Sequence, residues 1–285
     1  MTERRVAVVG AGTMGHGIAY VAALAGYEVA LTDSRAEALA AARNKIDALL
    51  AGGVARGRLT AAESRGVAER LRLEPELAAA VHEAEVVIEA VVEDLVVKRR
   101  LFGDLERAAS PDALLATNTS SLSVAAIATG LRRPGRVVGL HFFNPVAAMK
   151  LVEVVTHPET GTDALARAVR FARALGKEPI VVRDSPGFAS SRLGLALGLE
   201  AIRMLEQGVA SAEDIDKAME LGYNHPMGPL KLTDLVGLDI RLAIAEYLYR
   251  TLEERQFEPP ALLRAKVAKG ELGKKTGRGF YTWSP

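Results

Sequence analysis

At 285 residues the chain can hold one large or two medium domains, and 49% hydrophobic with 25% charged residues is ordinary globular composition. A formal net charge of +1 offers no bulk electrostatic case for nucleic acid or a membrane surface. The lack of cysteine excludes disulfides, thiolate metal sites and a cysteine nucleophile; with no apolar signal region in MTERRVAVVG and no run near the ~18 apolar residues of a spanning helix, a soluble, cytoplasmic, metal-free protein is expected.

Arg5–Val9 is a β-branched run that leads into GAGTMG and then the helical pattern HGIAYVAALAG. Gly10, Gly12 and Gly15 thus stand in the order G-x-G-x-x-G, after a strand and before a helix. The first glycine permits the tight turn, the second lets backbone approach a pyrophosphate, and the third lets helix and strand pack closely. Thr13 and Met14 belong to the same expected cofactor-binding turn, whose helix N-terminus offers N–H groups and a positive dipole end to phosphates. The next strand, YEVALTD, ends at Asp33, eighteen residues beyond Gly15. A carboxylate there accepts hydrogen bonds from the adenosine ribose and repels a 2′-phosphate, favouring NAD over NADP. Arg35, close by, is the residue that could instead accommodate that phosphate.

Residues 34–50 have the pattern of a long helix with Ser34 as N-cap. Beyond GGVARGRLT, Thr60 with Glu63 three residues on makes a capping-box start for a second helix. This hairpin exceeds what a mononucleotide-binding half needs; Arg56 and Arg58 at its tip suit a phosphorylated ligand, or are simply solvated. AEVVIEAVVED is a buried strand ending at Glu93, before a helix over 94–109 that carries Lys98. Ligands bind at strand carboxyl ends in such sheets, which makes Glu93 and Lys98 candidate cofactor contacts. ALLATNTSS adds Asn118 and Ser120 at the end of the next strand, though both residue types are also common in turns. A short helix, SLSVAAIA, follows.

The runs 136–143 and 151–155 are short, apolar and read as buried strands. His141 falls near the end of the first, Glu153 in the middle of the second. A carboxylate inside an apolar strand is costly unless paired, and His141 is the nearest partner in sequence. An imidazole held and made more basic by a carboxylate is a general-base arrangement; a core histidine and a carboxylate emerging at an edge would fit the same residues. A helix over 161–175 and the strand KEPIVVRD complete an alternation of seven or eight strands with helices. Past Asp184 and a hinge-like SPGF only helical periodicity continues, over 188–206, 211–221, 229–250 and 260–269, before an ordered basic tail, GKKTGRGFYTW. The expected architecture is α/β: a Rossmann-type, doubly wound, mostly parallel sheet with an inserted helical hairpin over 1–185, then an all-α domain over 186–285.

Together VVGAGTMGHGIA, VVIEAVVEDLVVKRRLF, TNTSSLS, GLHFFNPVAAMKLVEVV, DSPGF, DKAMELGYNHPMGPLKLTDLVGLD and GKKTGRGFY span essentially the whole chain, and through them the sequence resembles the L-3-hydroxyacyl-CoA dehydrogenase family in its short, single-function form. The resemblance implies NAD as cofactor, an acyl-CoA substrate, no nucleic-acid or membrane partner, and a homodimer formed through the helical domain, which would also wall the substrate cleft. It implies His141 as general base (acid in reverse), supported by Glu153. Ser120 would contact the substrate oxygen and the nicotinamide end, and Asn144 would position nicotinamide and substrate. Glu93, Lys98 and Lys275 would be cofactor contacts, with Asn118 in the same set, and Arg56 stands where the family often has a basic residue for coenzyme A. One departure bears on acyl preference. The family pattern D-[ST]-P-G-F-x-x-N-R is here DSPGFASSR, so Ser191 replaces an asparagine that orients substrate, and its shorter hydroxyl needs a substrate shift or a water. The alternative on the same fold is oxidation of a free sugar acid, as in L-gulonate dehydrogenases; a non-catalytic dinucleotide-binding protein and an S-adenosylmethionine-binding transferase are more distant readings.

Overall fold

The apolar runs of the first 185 residues become eight strands of one sheet. The computed structural model describes residues 4–284; Met1, Thr2 and Glu3, at the head of the N-terminal run read above, lie outside them. In chain order this part contains β1 (Arg5–Val9), α1 (Gly15–Leu24), β2 (Glu28–Thr32), α2 (Ala36–Ala55), α3 (Ala61–Glu69), β3 (Leu71–Leu73), α4 (Leu77–Val81), β4 (Val86–Glu89), α5 (Leu95–Ala108), β5 (Leu114–Thr117), α6 (Val124–Ala128), β6 (Val137–Phe142), β7 (Leu151–Thr156), α7 (Thr162–Ala174) and β8 (Glu178–Arg183). The strand order is β3-β2-β1-β4-β5-β6-β7-β8. β4, β5 and β6 are buried at every position, as strands covered on both faces must be. Every neighbouring pair is parallel except β6 and β7. Their connection, residues 143–150, is too short for a crossover helix, so the chain must turn straight back. The strand order reverses between β1 and β4, which opens a crevice at their carboxyl ends.

Several local expectations change. α2 starts at Ala36, and Ser34 does not cap it: the Asp33 carboxylate already takes the Arg35 N–H at 3.0 Å. The helix then runs on through Gly52 and Gly53 to Ala55, because Gly53 packs its bare backbone against Leu59 at the hairpin turn. The capping box forms as read, Glu63 N–H to Thr60 Oγ1 at 3.1 Å and Thr60 N–H to Glu63 Oε2 at 2.7 Å. β3 is only three residues long, too short to show a period. β4 stops at Glu89, four residues before Glu93.

Residues 186–285 form a second compact unit, made of α8 (Ser190–Glu206), α9 (Ala212–Gly222), α10 (Pro229–Val236), α11 (Leu238–Leu252) and α12 (Ala261–Ala268). The single helix read over 229–250 is broken: Gly237 adopts φ +103°, a conformation open to glycine but not to a helix. The apolar spacing continues on both sides, so periodicity alone conceals the break. The core of this unit gathers Leu195, Leu199, Ile202, Leu230, Leu238, Leu248 and Phe257. No helix among the described residues is long and apolar enough to cross a membrane.

Asp234 takes three donors of the tail. Asp234 on α10, 1% exposed, accepts the N–H groups of Phe280 and Tyr281 at 2.9 Å each and the indole N–H of Trp283 at 2.8 Å. A side chain at Gly273 or Gly279 would collide with Asp234, so glycine is what lets the tail close on it. Replacing Asp234 by Ala should leave these donors without their acceptor and cost about 3 kcal/mol. Urea unfolding followed by the fluorescence of Trp283, the one tryptophan of the chain, would measure it; a loss below about 0.5 kcal/mol would refute the clamp.

Candidate active site

The turn after β1 has the geometry its glycines require. Gly10 has φ +104°, and a Cβ there would press on the Ala90 carbonyl of the adjoining strand end. A Cβ at Gly15 would fall on the Gly10 carbonyl, whereas one at Gly12 would meet nothing within 4 Å. Gly12 is therefore where backbone is open to a ligand. α1 has neither a side-chain cap nor an acidic residue in its first turn, leaving its N–H groups and dipole to an anion. Asp33, at the end of β2, accepts the Ala11 N–H through Oδ2 at 2.8 Å and so ties its strand to the glycine turn. The Arg35 guanidinium, mostly exposed, stands 3.5 Å from Asp33. A cavity of 880 Å³ is lined by Gly10, Gly12, Thr13, Met14 and Asp33 on one side and by Ala90, Val91, Val92 and Leu101 on the other. Its lining, glycine-turn backbone and the Asp33 carboxylate beside apolar side chains, suits the adenosine and pyrophosphate of a dinucleotide.

A second cluster lies at the ends of β4 and β5. Glu89, with no exposed surface, accepts the Val91 N–H at 2.7 Å, the Lys98 ammonium at 2.6 Å and the Thr117 hydroxyl at 2.7 Å. Lys98, 1% exposed, also stands 3.3 Å from Glu93. Glu93 in turn accepts the Thr119 hydroxyl and the N–H groups of Ser120 at 3.0 Å and Ser121 at 3.3 Å. The two expected cofactor contacts thus form one network that shapes the Ser120 loop. Glu89, Thr117 and Thr119 were not singled out in the sequence; a glutamate inside the apolar run VVIEAVV was the available signal. Asn118, of the expected cofactor set, uses Oδ1 to accept the Phe142 N–H at 2.9 Å, bracing β5 against β6.

The antiparallel register of β6 and β7 sets His141 directly opposite Glu153. Imidazole Nδ1 and carboxylate Oε2 are 2.7 Å apart, with His141 6% exposed and Glu153 fully buried. An ionised carboxylate can only accept, so Nδ1 carries the proton of this hydrogen bond. The Phe143 ring packs against the imidazole at 4.4 Å between centroids. Asn144 follows, exposed, and neither it nor His141 lines the 880 Å³ cavity. Arg56 is exposed beyond the end of α2. In the helical unit Ser191 lies half-buried on α8, and Lys275 holds both Asp239 carboxylate oxygens at 2.6 Å.

A family model described as "3-hydroxyacyl-CoA dehydrogenase, NAD binding domain" matches residues 5–185, and its "C-terminal domain" counterpart matches residues 187–283. The chain belongs to the 3-hydroxyacyl-CoA dehydrogenase family. It is an NAD-dependent oxidoreductase, and the glycine turn, Asp33 and the uncapped α1 fit that cofactor. Among relatives of this dehydrogenase, "3-hydroxybutyryl-CoA dehydrogenase" of Mycobacterium tuberculosis is 45% identical over 98% of each chain. "Probable 3-hydroxybutyryl-CoA dehydrogenase" of Bacillus subtilis is 43% identical over 99% of this chain and 98% of its own. The crystal structure of (S)-3-hydroxybutyryl-CoA dehydrogenase from Ralstonia eutropha superposes with a TM-score of 0.94 at 37% identity, covering all of both chains.

The buried network makes the dehydrogenase sensitive to one cation. Burial pushes the Glu93 carboxyl up, but Lys98, the Thr119 hydroxyl and the Ser120 N–H outweigh burial and hold it below the ordinary glutamate range. A depressed folded pKa contributes stability above the unfolded value of about 4.3, and that contribution is lost as pH falls through the folded value. Lys98→Met should strand Glu89 without its counter-charge, costing about 3–5 kcal/mol, and should remove much of this acid-side dependence. Urea midpoints at pH 7 and pH 4 would test both parts; an unchanged midpoint at pH 7 contradicts the assignment.

Proposed function

We propose that this dehydrogenase interconverts a short-chain 3-hydroxyacyl-CoA, of which 3-hydroxybutyryl-CoA is the first choice, and its 3-oxoacyl-CoA, with His141 and Glu153 as the general base and acid. The observation that carries the reading is the 2.7 Å contact between His141 Nδ1 and Glu153 across β6 and β7. NAD, when bound, supplies the hydride acceptor at the carbinol carbon. Nε2 of His141 takes the hydroxyl proton as the carbonyl forms, and the Glu153 carboxylate stabilises the resulting imidazolium. Ser120, whose N–H is fixed by Glu93, donates its hydroxyl to the substrate oxygen. Asn144 positions the reacting groups, Arg56 meets the coenzyme A phosphates, and Asp33 selects NAD over NADP. Residues 1–185 serve as the cofactor domain; residues 186–285, with Ser191, serve substrate binding and homodimer formation, in a cytoplasmic enzyme. The free sugar-acid alternative is not favoured by the relatives, which carry hydroxyacyl-CoA names.

NADH oxidation with acetoacetyl-CoA, beside NADPH and beside free acetoacetate, tests the reading. Turnover of the thioester with NADH alone is expected, and turnover confined to free acids would sink it. His141→Gln should lower kcat by roughly 10²- to 10⁴-fold with a smaller change in KM. Glu153→Gln should lose less and shift the pH–rate profile, because the imidazolium loses its partner. A near-normal kcat in the first variant, or an unmoved profile in the second, would remove the corresponding role.

A further inference from the structure

Among the described residues Arg241 is a charge without a counter-charge. It lies in the first half of α11, 7% exposed, and its Nε has no hydrogen-bond partner among the described residues. Burial alone pushes its guanidinium down to about 10, and no neighbouring carboxylate offsets that. At neutral pH the side chain is still a cation. The carboxylates that could serve it are engaged elsewhere: Asp239 with Lys275, Glu246 with Arg264, Glu200 with Arg203, Glu206 with the Leu262 N–H, and Asp234 with the tail. A buried cation left in this state is expensive, and its structure makes sense once an anion is brought to it.

The neighbouring face of α8 is built of small residues. The guanidinium lies on α8 at Gly194, where a Cβ would be 3.6 Å from Nη1 and any longer side chain would cover it. One turn further on, Gly198 faces the Thr233 hydroxyl, a second buried group without a partner among the described residues. Ser191, Gly194 and Gly198, three and four residues apart, share one face of α8. About one turn, ~5 Å, thus separates the Ser191 position from the guanidinium, the reach of a short acyl chain. We propose that Arg241 binds a terminal carboxylate on the acyl group, so that the preferred substrate is a 3-hydroxyacyl-CoA of the dicarboxylic type. This rests on the hydroxyacyl-CoA reading above, which makes Ser191 a substrate contact, and it names the acyl class. The guanidinium, once paired with the carboxylate, forms a charge-assisted bond that a methyl-ended chain cannot replace.

The test compares kcat/KM, with NADH, for a 3-oxoacyl-CoA ending in a carboxylate and for its methyl-ended counterpart of equal length. Wild-type enzyme is expected to prefer the carboxylate. Arg241→Met should lower kcat/KM for that substrate by about 10- to 100-fold, chiefly through KM, and leave the methyl-ended one within about twofold. Arg241→Lys should recover part of the preference. Thermal unfolding of the Met variant should show a folded protein with an unchanged or raised Tm, since an unpaired buried charge has gone. A parallel fall on both substrates, or a wild-type preference for the methyl end, overturns the proposal while leaving the hydroxyacyl-CoA reading intact. A changed oligomeric state with unchanged selectivity also overturns it, assigning Arg241 to a contact with a second copy. Failure of the wild type on both thioesters overturns the underlying reading itself.

Discussion

Carboxylates with no exposed surface have to find cations or donors inside the protein, and the strand ends of the sheet are arranged around that demand. Glu89 on β4 is met by Lys98 from α5, the Thr117 hydroxyl of β5 and a backbone N–H just past its own strand. Glu153 on β7 is met by His141 on β6. The first arrangement carries over to Glu93, which organises the backbone around Ser120. The second fixes the imidazole through its Nδ1. One physical rule thus shapes both the Ser120 loop and the setting of His141.

The helical unit follows the rule in two places and departs from it in a third. Asp234 gathers the tail, and Asp216 takes the Leu230 and Lys231 N–H groups and the Tyr281 hydroxyl. These two acids hold the start of α10 and the last residues of the chain to one another. Among the described residues no carboxylate offsets the burial of Arg241, and its Nε has no hydrogen-bond partner. The pairing of Asp216 and Asp234 makes the exception informative, because the same core shows that it can satisfy buried charge where structure alone is at stake.

Much of this was legible in the sequence where chemistry is local or where a residue contradicts its surroundings. The glycine turn, Asp33 and the Thr60 capping box depend on spacing within a few residues. His141 and Glu153 stood out because both are polar inside apolar runs, and the short connection between their strands forces the antiparallel pairing that joins them. Glu89 carried the same signal, but the β4 run was read through to Glu93, so the buried carboxylate passed as part of the strand. β3 is too short to show a period, and the break at Gly237 leaves the apolar spacing intact. Arg241 could not be recognised at all, since the burial of a charged residue on a helix is decided by what packs over it. Lys98 follows an acidic strand end on its own helix, and only the fold shows that its charge is spent on two glutamates.

Asp33 does two jobs with one side chain, and this constrains any attempt to re-engineer the coenzyme. Its Oδ2 anchors the Ala11 N–H, and its Oδ1 takes the Arg35 N–H that opens α2. Exchanging it for a small neutral residue, the obvious route to welcoming a 2′-phosphate, would also release the glycine turn from β2 and leave a backbone donor unsatisfied. Asparagine drops the charge but keeps one acceptor oxygen, so it disturbs these anchors less than alanine or glycine would. The glycine turn therefore depends on Asp33 for its anchoring, and any redesign at this position has to supply a new anchor for Ala11.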